Sequence, residues 1–416
     1  MQTSITVPEP KAITPDALFD NVAHRAVAFF YNESHPDTGL TKDRAKNPAH
    51  LKDEYTVASI AATGYALSAL CIGAERKWLS RSDAEARARR TLRFIYDSLP
   101  VVHGFHYHFV DWRDGKRVWN CELSSIDSTL LVKGALVAGR YFEGECARLA
   151  DSIYARMDWR WMQNRKPGDP VDTLLSMGWK PESGFLDGRW ARYDEASYLY
   201  LMAMGAPRHS LPPSVWDKWE VGETTLEGFK ILGRPGPLFF VQMTPAYFDL
   251  RGKKDRLGRD WWKNFENTHR ANHRYCARNA GRFKTYSDVI WGITACDQPP
   301  NKPGEGNGYG ADEPVDGRNR GTVAPTAALA GILFVPEISR RTVVALYSQY
   351  REKIWGRYGF ANAFNVDKDW YDTDVLGIDL GMMLLAIENS RSGLIRKLMH
   401  SHPAARKGLS AAGFRV

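Results

Sequence analysis

The 416-residue chain has the composition of a globular protein with ample core material, since 44% of its residues are hydrophobic and 25% are charged. Its net charge of +8 is concentrated at one end, because residues 389–416 contain six Lys or Arg and no Asp or Glu. No nucleic-acid-binding motif accompanies this basic segment. We therefore expect a solvated C-terminal helix and tail, with neither a nucleic acid nor a lipid as partner.

Cysteine spacing and hydropathy exclude further classes of protein. The five cysteines form no C-x-x-C pair, so neither a disulfide framework nor a zinc site is expected. No apolar run reaches the roughly 18 residues of a membrane-spanning helix. The first residues, "MQTSITVPEPKAITPD", lack the apolar segment of a signal peptide. Two locations remain open: the cytoplasm, or a site reached with an export signal that this sequence does not contain.

Helical patterns recur from one end of the chain to the other. We predict about a dozen helices, at 16–31, 54–75, 81–99, 123–142, 144–157, 194–204, 223–231, 256–279, 286–295, 322–333, 337–354 and 378–399. No long β-rich block and no linker-like composition separates them. The sequence therefore predicts one domain over 15–400, preceded by an extension at 1–14 and followed by a basic tail at 401–416.

The predicted helices alternate in character along the chain. Those that start near 55, 126, 196, 286, 324 and 378 are rich in small residues and nearly free of charge, as in "YTVASIAATGYALSALCIGA". The helices between them are amphipathic, as in "SRSDAEARARRTLRFIYDSL". This alternation fits an all-α fold with an inner and an outer ring, the (α/α)6 toroid of six helical hairpins. A helical solenoid would also alternate, but no constant repeat is found.

The segments between helices are long and rich in Trp, Tyr, Asp and Arg. Residues 105–120, "FHYHFVDWRDGKRVWN", predict a β-hairpin with a turn at Asp114-Gly115. The other long loops are expected at 181–195, 296–321 and 356–379. Loops of this composition rarely serve only as connections. In a toroid they would converge on one face and line a cleft.

Carboxylates at the starts of apolar helices are the residues best suited to chemistry. They are Glu122, Asp127, Asp194, Glu195, Asp297, Asp372, Asp374 and Asp379. Each alone is explained as a helix cap. Together, beside Trp and Tyr, they fit glycoside hydrolysis, which needs one protonated and one ionised carboxyl. Glu195, enclosed by Tyr193, Tyr198 and Trp190, would stay protonated, whereas an Asp capped by backbone N–H groups would stay charged.

A metal site has weak support in the sequence. His103, His106 and His108 place two imidazoles on one face of the predicted hairpin, but no carboxylate or Cys lies at ligand spacing. Hydrogen bonding within a cleft wall is favoured. No metal or other cofactor is expected.

Twelve segments in order resemble the glycoamylase-like family, glycoside hydrolase family 144, whose characterised members are endo-β-1,2-glucanases. They include "YTVASIAATGYALSAL", "WNCELSSIDSTLL", "YDEASYLYLMAMGAP", "WGITACDQP" and "WYDTDVLGIDLG". The resemblance extends from about residue 30 to 400. It implies an (α/α)6 barrel that hydrolyses β-1,2-glucan by inversion to sophoro-oligosaccharides. It also implies a periplasmic location, and we expect a monomer whose partner is an oligo- or polysaccharide.

The resemblance assigns roles to individual residues. Glu195 matches the family's general-acid candidate, while Asp127 and Asp379 match carboxylates of which either activates water. The residues expected to line subsites are Glu122, Arg44, His108, Tyr193, Trp370, Asp297, Trp190 and Phe360.

Several segments depart from the family pattern, among them "GAPRHS", "TYSDVI" and "IDLGMM", and each departure removes or exchanges a polar group. Alternative functions therefore stay open. One is a transglycosylase that transfers or cyclises glucan on the same fold, and another is a hydrolase of a different bacterial glycan. A non-enzymatic carbohydrate-binding protein is the third.

Overall fold

The structure is a computed structural model that describes residues 4–301 and 308–416. Fourteen α-helices lie in these ranges: α1 (Pro15–Asn32), α2 (Ile60–Glu75), α3 (Arg81–Asp97), α4 (Ser125–Phe142), α5 (Gly144–Ala155), α6 (Trp159–Met162), α7 (Ser197–Gly205), α8 (Phe239–Tyr247), α9 (Trp261–Arg278), α10 (Pro325–Ala330), α11 (Pro336–Ile354), α12 (Gly377–Arg391), α13 (Leu394–Ser401) and α14 (Pro403–Ala411).

Short antiparallel strands connect the helices. The pairs are β1 (Arg44–Lys46) with β17 (Asp374–Leu376), β2 (Val57–Ser59) with β5 (Phe109–Asp111), β3 (Val101–Val102) with β4 (Phe105–His106), β9 (Glu223–Leu226) with β10 (Phe229–Leu232), β11 (Ala295–Gln298) with β12 (Gly308–Ala311), β13 (Trp355–Gly356) with β14 (Gly359–Phe360), and β15 (Phe364–Asn365) with β16 (Trp370–Tyr371). β6 (Leu123–Ser124), β7 (Gly178–Lys180) and β8 (Gly184–Phe185) form a three-stranded group. Within the described ranges the fold is thus mostly helical, with small strand pairs and no closed strand barrel.

The predicted contrast between buried and amphipathic helices is present. α2 buries 14 of its 16 residues, whereas α3 buries 5 of 17. α2 packs against α1, α4 and α12, and α7 packs against α14. The buried helices therefore lie next to one another and hold the core, and the amphipathic helices α3 and α5 cover them.

Local capping explains where several helices begin. The side chains of Thr14, Ser59 and Ser80 accept hydrogen bonds from backbone N–H groups in the first turns of α1, α2 and α3. Pro15 follows Thr14 at the first helical position, where its missing N–H is not needed. These starts agree with the sequence prediction to within a few residues, apart from α2, whose predicted start at 54 falls before strand β2.

Two predicted helices are wrong. Residues 223–231 belong to the β9–β10 hairpin, whose turn residues Glu227 and Gly228 have φ of 51° and 78°; "TT" and an E-G turn favour a hairpin over a helix. Residues 286–295 form a loop that leads into β11, and Gly292 there, at φ 125°, lies against Ala324. That backbone conformation is incompatible with a helix.

Other boundaries differ from prediction. The helix expected at 378–399 is two helices, because Gly393 at φ 70° ends the first. The helix expected at 194–204 begins only at Ser197, so Asp194 and Glu195 precede it.

The chain termini pack against the body. The basic segment 401–416 contains α14, where a Cβ on Gly408 would lie 2.0 Å from the Leu201 carbonyl oxygen of α7. Residues 4–14 of the predicted extension contact α1, since Glu9 pairs with Arg25 at 2.7 Å; residues 1–3 of it lie outside the described residues. So do residues 302–307 of the predicted loop 296–321. None of the described helices is both long and apolar enough to cross a lipid bilayer.

Candidate active site

Asp127 is held at the start of α4 by a reciprocal cap. The Ser124 hydroxyl accepts from the Asp127 backbone N–H at 3.1 Å and donates to Asp127 Oδ2 at 2.5 Å. The carboxyl is buried, yet it sits where the dipole of α4 favours negative charge. Asp127 is therefore both a helix-start residue and a carboxylate at the edge of a polar cluster.

His108 joins Asp127 to Glu122. Its Nδ1 lies 3.0 Å from Glu122 Oε1 and its Nε2 lies 3.5 Å from Asp127 Oδ2. Burial alone would lower the pKa of His108, but the Asp127 and Glu122 carboxylates raise it to about 9. The hydrogen bond to His108 in turn lowers the pKa of Glu122. At neutral pH this trio is a cation between two carboxylates.

Glu195 lies two residues before α7, whose N-cap Ala196 offers no side-chain cap. The side chain is half-buried, and burial, followed by the charges of Asp194 and Asp127, raises its pKa well above the ordinary value. Asp194 instead accepts a hydrogen bond from the Ala196 backbone N–H at 2.8 Å, and burial raises its pKa to about 7. The two adjacent carboxyls thus have different surroundings. Asp194 bonds to the backbone of the turn, whereas the surroundings of Glu195 favour its protonated form.

Asp379 is the third residue of α12 and is buried. The Asn362 amide donates to its Oδ2 at 2.5 Å, while Asn362 Oδ1 accepts from the Asp297 backbone N–H at 2.8 Å. Burial, opposed by the Asn362 bond, raises the pKa of Asp379 to about 7. Asp379 therefore exchanges protons near neutral pH.

Tyr65 of α2 interacts electrostatically with all three carboxyls predicted to be catalytic. Its buried hydroxyl has no hydrogen-bond partner among the described residues. Burial raises its pKa well above the ordinary value, and the charges that raise it further belong to Tyr247, Glu195, Asp379 and Asp127. The starts of α4, α7 and α12 thus bring Asp127, Glu195 and Asp379 into one electrostatic neighbourhood.

A second acidic group adjoins the first. Arg44 Nη1 lies 2.8 Å from Asp297 Oδ2 and 3.6 Å from Asp374, and Lys46 lies 2.5 Å from Asp374. Carboxyl oxygens of Asp297, Asp372 and Asp374 lie within 4.8 Å of one another, close enough to hold a cation. Arg44 and Lys46 already supply positive charge there, so the group is organised as an ion-pair network. Burial, with Asp297 beside it, raises the pKa of Asp372 to about 8.

The structure does not bring every predicted subsite residue to the cluster. Trp190, Tyr193 and Phe360 are buried in the core: Trp190 donates to Ser125 Oγ at 2.9 Å, and Tyr193 accepts from the Asn264 amide at 2.6 Å. Trp370 is half-buried in β16. Arg44, His108, Glu122 and Asp297 do lie in the cluster, as the contacts above describe. Sugar contact by any of the eight stays a prediction.

Other residues of the cluster have no local signal in the sequence. Asp43 is 3.5 Å from Arg44 Nε and also contributes to the raised pKa of His108. The ammonium of Lys133 is buried and lies 3.4 Å from the centroid of the Tyr198 ring. Tyr309, an exposed residue of β12, is paired with Asp297 across the strands. Only tertiary contacts reveal their proximity, since nothing in their spacing along the chain marks it.

Comparison with known proteins gives three findings. The model of the glycoamylase family, described as "Putative glucoamylase", matches residues 187–403. The curated exo-β-1,2-glucooligosaccharide sophorohydrolase (non-reducing end) of Parabacteroides distasonis is 24% identical over 95% of this chain, and the chain spans 58% of that protein's length. Two solved structures are similar to this chain over nearly their whole length.

A crystallised protein from Bacteroides fragilis, described in the same words as the family model, has a TM-score of 0.86 and 28% identity over 98% of this chain and 99% of its own. The endo-β-1,2-glucanase from Chitinophaga pinensis, in complex with sophorotriose and glucose, has a TM-score of 0.85 and 26% identity over 97% and 99% of the two chains.

Proposed function

Because the chain belongs to the glycoamylase family, whose model matches just over half of it, we propose that it is a glycoside hydrolase that cleaves β-1,2-glucan. Two similar proteins are named for this linkage, one as an exo-acting sophorohydrolase and one as an endo-β-1,2-glucanase. We further propose that the helices close into an (α/α)6 toroid as a single catalytic domain over 15–400, that the protein is a monomer, and that it works in the periplasm.

The observation that carries the proposal is the environment of Glu195. A general acid must hold its proton at the working pH and release it to the leaving glycosidic oxygen. Burial beside Asp194 and Asp127 favours the protonated form of Glu195. Its side chain is half-buried in front of a helix start, so that part of it remains accessible to a bound glucan.

Asp379 is the better candidate for the base that activates water. A base is most effective when its pKa lies near the working pH, and that of Asp379 is raised to about 7. Asp127 Oδ2 accepts a hydrogen bond from Ser124 and lies 3.5 Å from His108, a cation at neutral pH, so this oxygen is already engaged. We assign water activation to Asp379 and stabilisation of positive charge near the reacting sugar to Asp127.

The reaction then proceeds by inversion. Asp379 removes a proton from water as the water oxygen attacks the anomeric carbon, and Glu195 donates its proton to the departing oxygen. The positive charge that develops on the sugar ring is favoured by the surrounding carboxylates. Each turnover ends with Asp379 protonated and Glu195 ionised, and exchange with solvent restores both.

The test is incubation with β-glucans of defined linkage, followed by measurement of reducing ends and product lengths. The proposal expects new reducing ends from β-1,2-glucan alone. Sophorose as the first product would indicate exo action and a ladder of lengths endo action. Longer or cyclic products without new reducing ends would establish transfer instead, and binding without turnover would establish a carbohydrate-binding protein.

Glu195→Gln should lower kcat by several orders of magnitude and leave glucan binding intact. Glu220→Gln is the matched control, since the Glu220 side chain is exposed in the same region and forms a surface ion pair with Arg192. Full activity of Glu195→Gln would refute the assignment of the acid.

A further inference from the structure

Trp119 is the most exposed large hydrophobic side chain of the described residues, with 63% of its surface accessible. Burial of a Trp side chain is favourable, so its exposure calls for an explanation. The residue lies near the end of the segment 105–120, after β5, and precedes Glu122 by three positions. It therefore stands at the rim of the cluster that holds His108 and Asp127.

The backbone holds Trp119 in an unfavourable conformation. Trp119 has φ of 54° and Asn120 has φ of 47°, both in the left-handed region that non-glycine residues rarely adopt. Backbone strain of this kind tends to collect at functional sites. The two residues are the central pair of a turn that the Cys121 N–H closes on the Val118 carbonyl oxygen at 3.2 Å, and this turn presents the Trp119 ring to solvent.

Contacts fix the ring and connect it to the site. Its centroid lies 5.1 Å from that of Phe109 at 60°, and 6.5 Å from that of Tyr55. Phe109 stacks on the His108 imidazole at 3.8 Å, and His108 contacts Asp127. Three contacts in series therefore lead from the exposed ring to a candidate catalytic carboxyl. The ring is supported from behind while much of its surface remains open.

The neighbourhood of Trp119 is polar. Arg113, Asp114 and Lys116, which precede it in the same segment, are exposed charged residues: Arg113 pairs with Asp111, and Lys116 pairs with Asp114. A protein interface would need a larger contiguous apolar patch. A single aromatic ring within a polar rim instead matches a sugar, which presents one C–H face to the ring and hydroxyls to the surrounding polar groups.

We propose that Trp119, supported by Phe109 and flanked by Tyr55, is a stacking platform for a glucosyl unit of the substrate outside the subsites where the bond breaks. The inference rests on the proposed cleavage of β-1,2-glucan and extends it to a residue that determines chain-length preference. Chains long enough to reach the platform gain affinity from it, and shorter chains do not.

The test compares wild type with Trp119→Ala and Trp119→Phe on β-1,2-glucooligosaccharides of increasing length. For long chains, Trp119→Ala should raise KM roughly tenfold, the loss expected for one stacked ring, with kcat unchanged. For the shortest cleaved chains KM should not change, and Trp119→Phe should recover most of the affinity. Leu257→Ala is the control, because Leu257 is also exposed and belongs to a different loop.

The outcomes separate this inference from the proposed function. If wild type cleaves β-1,2-glucan and Trp119→Ala has an unchanged KM, or one raised equally at all lengths, the platform is refuted. If wild type cleaves no β-1,2-glucan, the proposed function fails. In that case retention of the variants on immobilised β-1,2-glucan decides the platform: weaker retention of Trp119→Ala supports it and equal retention refutes it. Loss of self-association with an unchanged KM would identify a protein contact and overturn the platform.

Discussion

Gly134 of α4 lies against Gly64 of α2 so closely that a Cβ on Gly134 would be 1.8 Å from the Gly64 carbonyl oxygen. The neighbouring residue on α2 is Tyr65, and α4 carries Asp127 at its start. The helices that carry Tyr65 and Asp127 are therefore in direct backbone contact. A pair of glycines is the sequence feature that permits it.

Gly134→Ala should be strongly destabilising, because the new methyl group meets backbone atoms that cannot rotate away. We expect a loss of about 1–3 kcal/mol, seen as a melting temperature lower by several degrees. Gly281→Ala is the control, since a Cβ there meets no atom within 4 Å and no positive φ is involved. Equal melting temperatures for the two variants would show that α2 and α4 are not in backbone contact.

The pH dependence of kcat/KM tests Asp379 as the base. The acid limb should fall near pH 7, because Asp379 must be ionised to accept a proton and its pKa is raised to about 7. The Asn362 amide lowers that pKa by hydrogen bonding. Asn362→Ala should therefore move the acid limb upward, by about one pH unit. An acid limb that stays in place would exclude Asp379 as the group responsible.

His108 should make stability depend on pH. Its pKa in the folded protein, about 9, lies above the unfolded value near 6.5. The contribution of charged His108 to the free energy of unfolding is thus complete below pH 6.5 and is lost as the pH rises through 9. Its upper bound is about 3 kcal/mol. Measured by urea unfolding, the free energy of unfolding of the wild type should exceed that of His108→Gln by more at pH 6 than at pH 10.

The exposed His50 provides the control for that experiment, since His50→Gln should show no such difference. A stability gap for His108→Gln that is the same at pH 6 and pH 10 would contradict a charged His108 between Glu122 and Asp127.

Sequence reasoning succeeds where the determinants are local. The starts of α4 and α12 follow from short patterns, a Ser cap in "SSID" and an apolar run after "GID", and these patterns place Asp127 and Asp379 at helix mouths. The β9–β10 hairpin was accessible in principle, because its turn carries an E-G pair. A helical periodicity across residues 223–231 conflicts with that signal, and the helix it predicts is wrong.

The remaining features depend on tertiary contacts. Trp190, Tyr193 and Phe360 are adjacent in sequence to polar residues of the site, yet their rings face the core. Asp43, Asn362 and Lys133 join the cluster from the residue before β1, a loop and α4. Residue type and spacing cannot specify which way a side chain in a long loop points, whereas a helix start fixes that direction for its first few residues.

Lys133 provides the last prediction. Its ammonium is buried without a hydrogen-bond partner among the described residues, between the rings of Tyr198 at 3.4 Å and Tyr247 at 4.3 Å. Burial lowers its pKa well below the ordinary value, and Glu195 alone opposes that effect. Lys133 in turn lowers the pKa of Glu195. The two groups are therefore coupled, so that ionisation of Glu195 is favoured when Lys133 takes up a proton.

Lys133→Met should raise the pKa of Glu195 further, because the nearby cationic group that lowers it is removed. The alkaline limb of kcat/KM should move to higher pH, and stability should be unchanged or rise by about 1 kcal/mol, since a buried polar group without a partner is lost. Lys397→Met removes a lysine from an exposed position on α13. It should change neither the alkaline limb of kcat/KM nor the stability. An alkaline limb that Lys133→Met leaves in place, or moves to lower pH, would mean that Glu195 and Lys133 titrate independently.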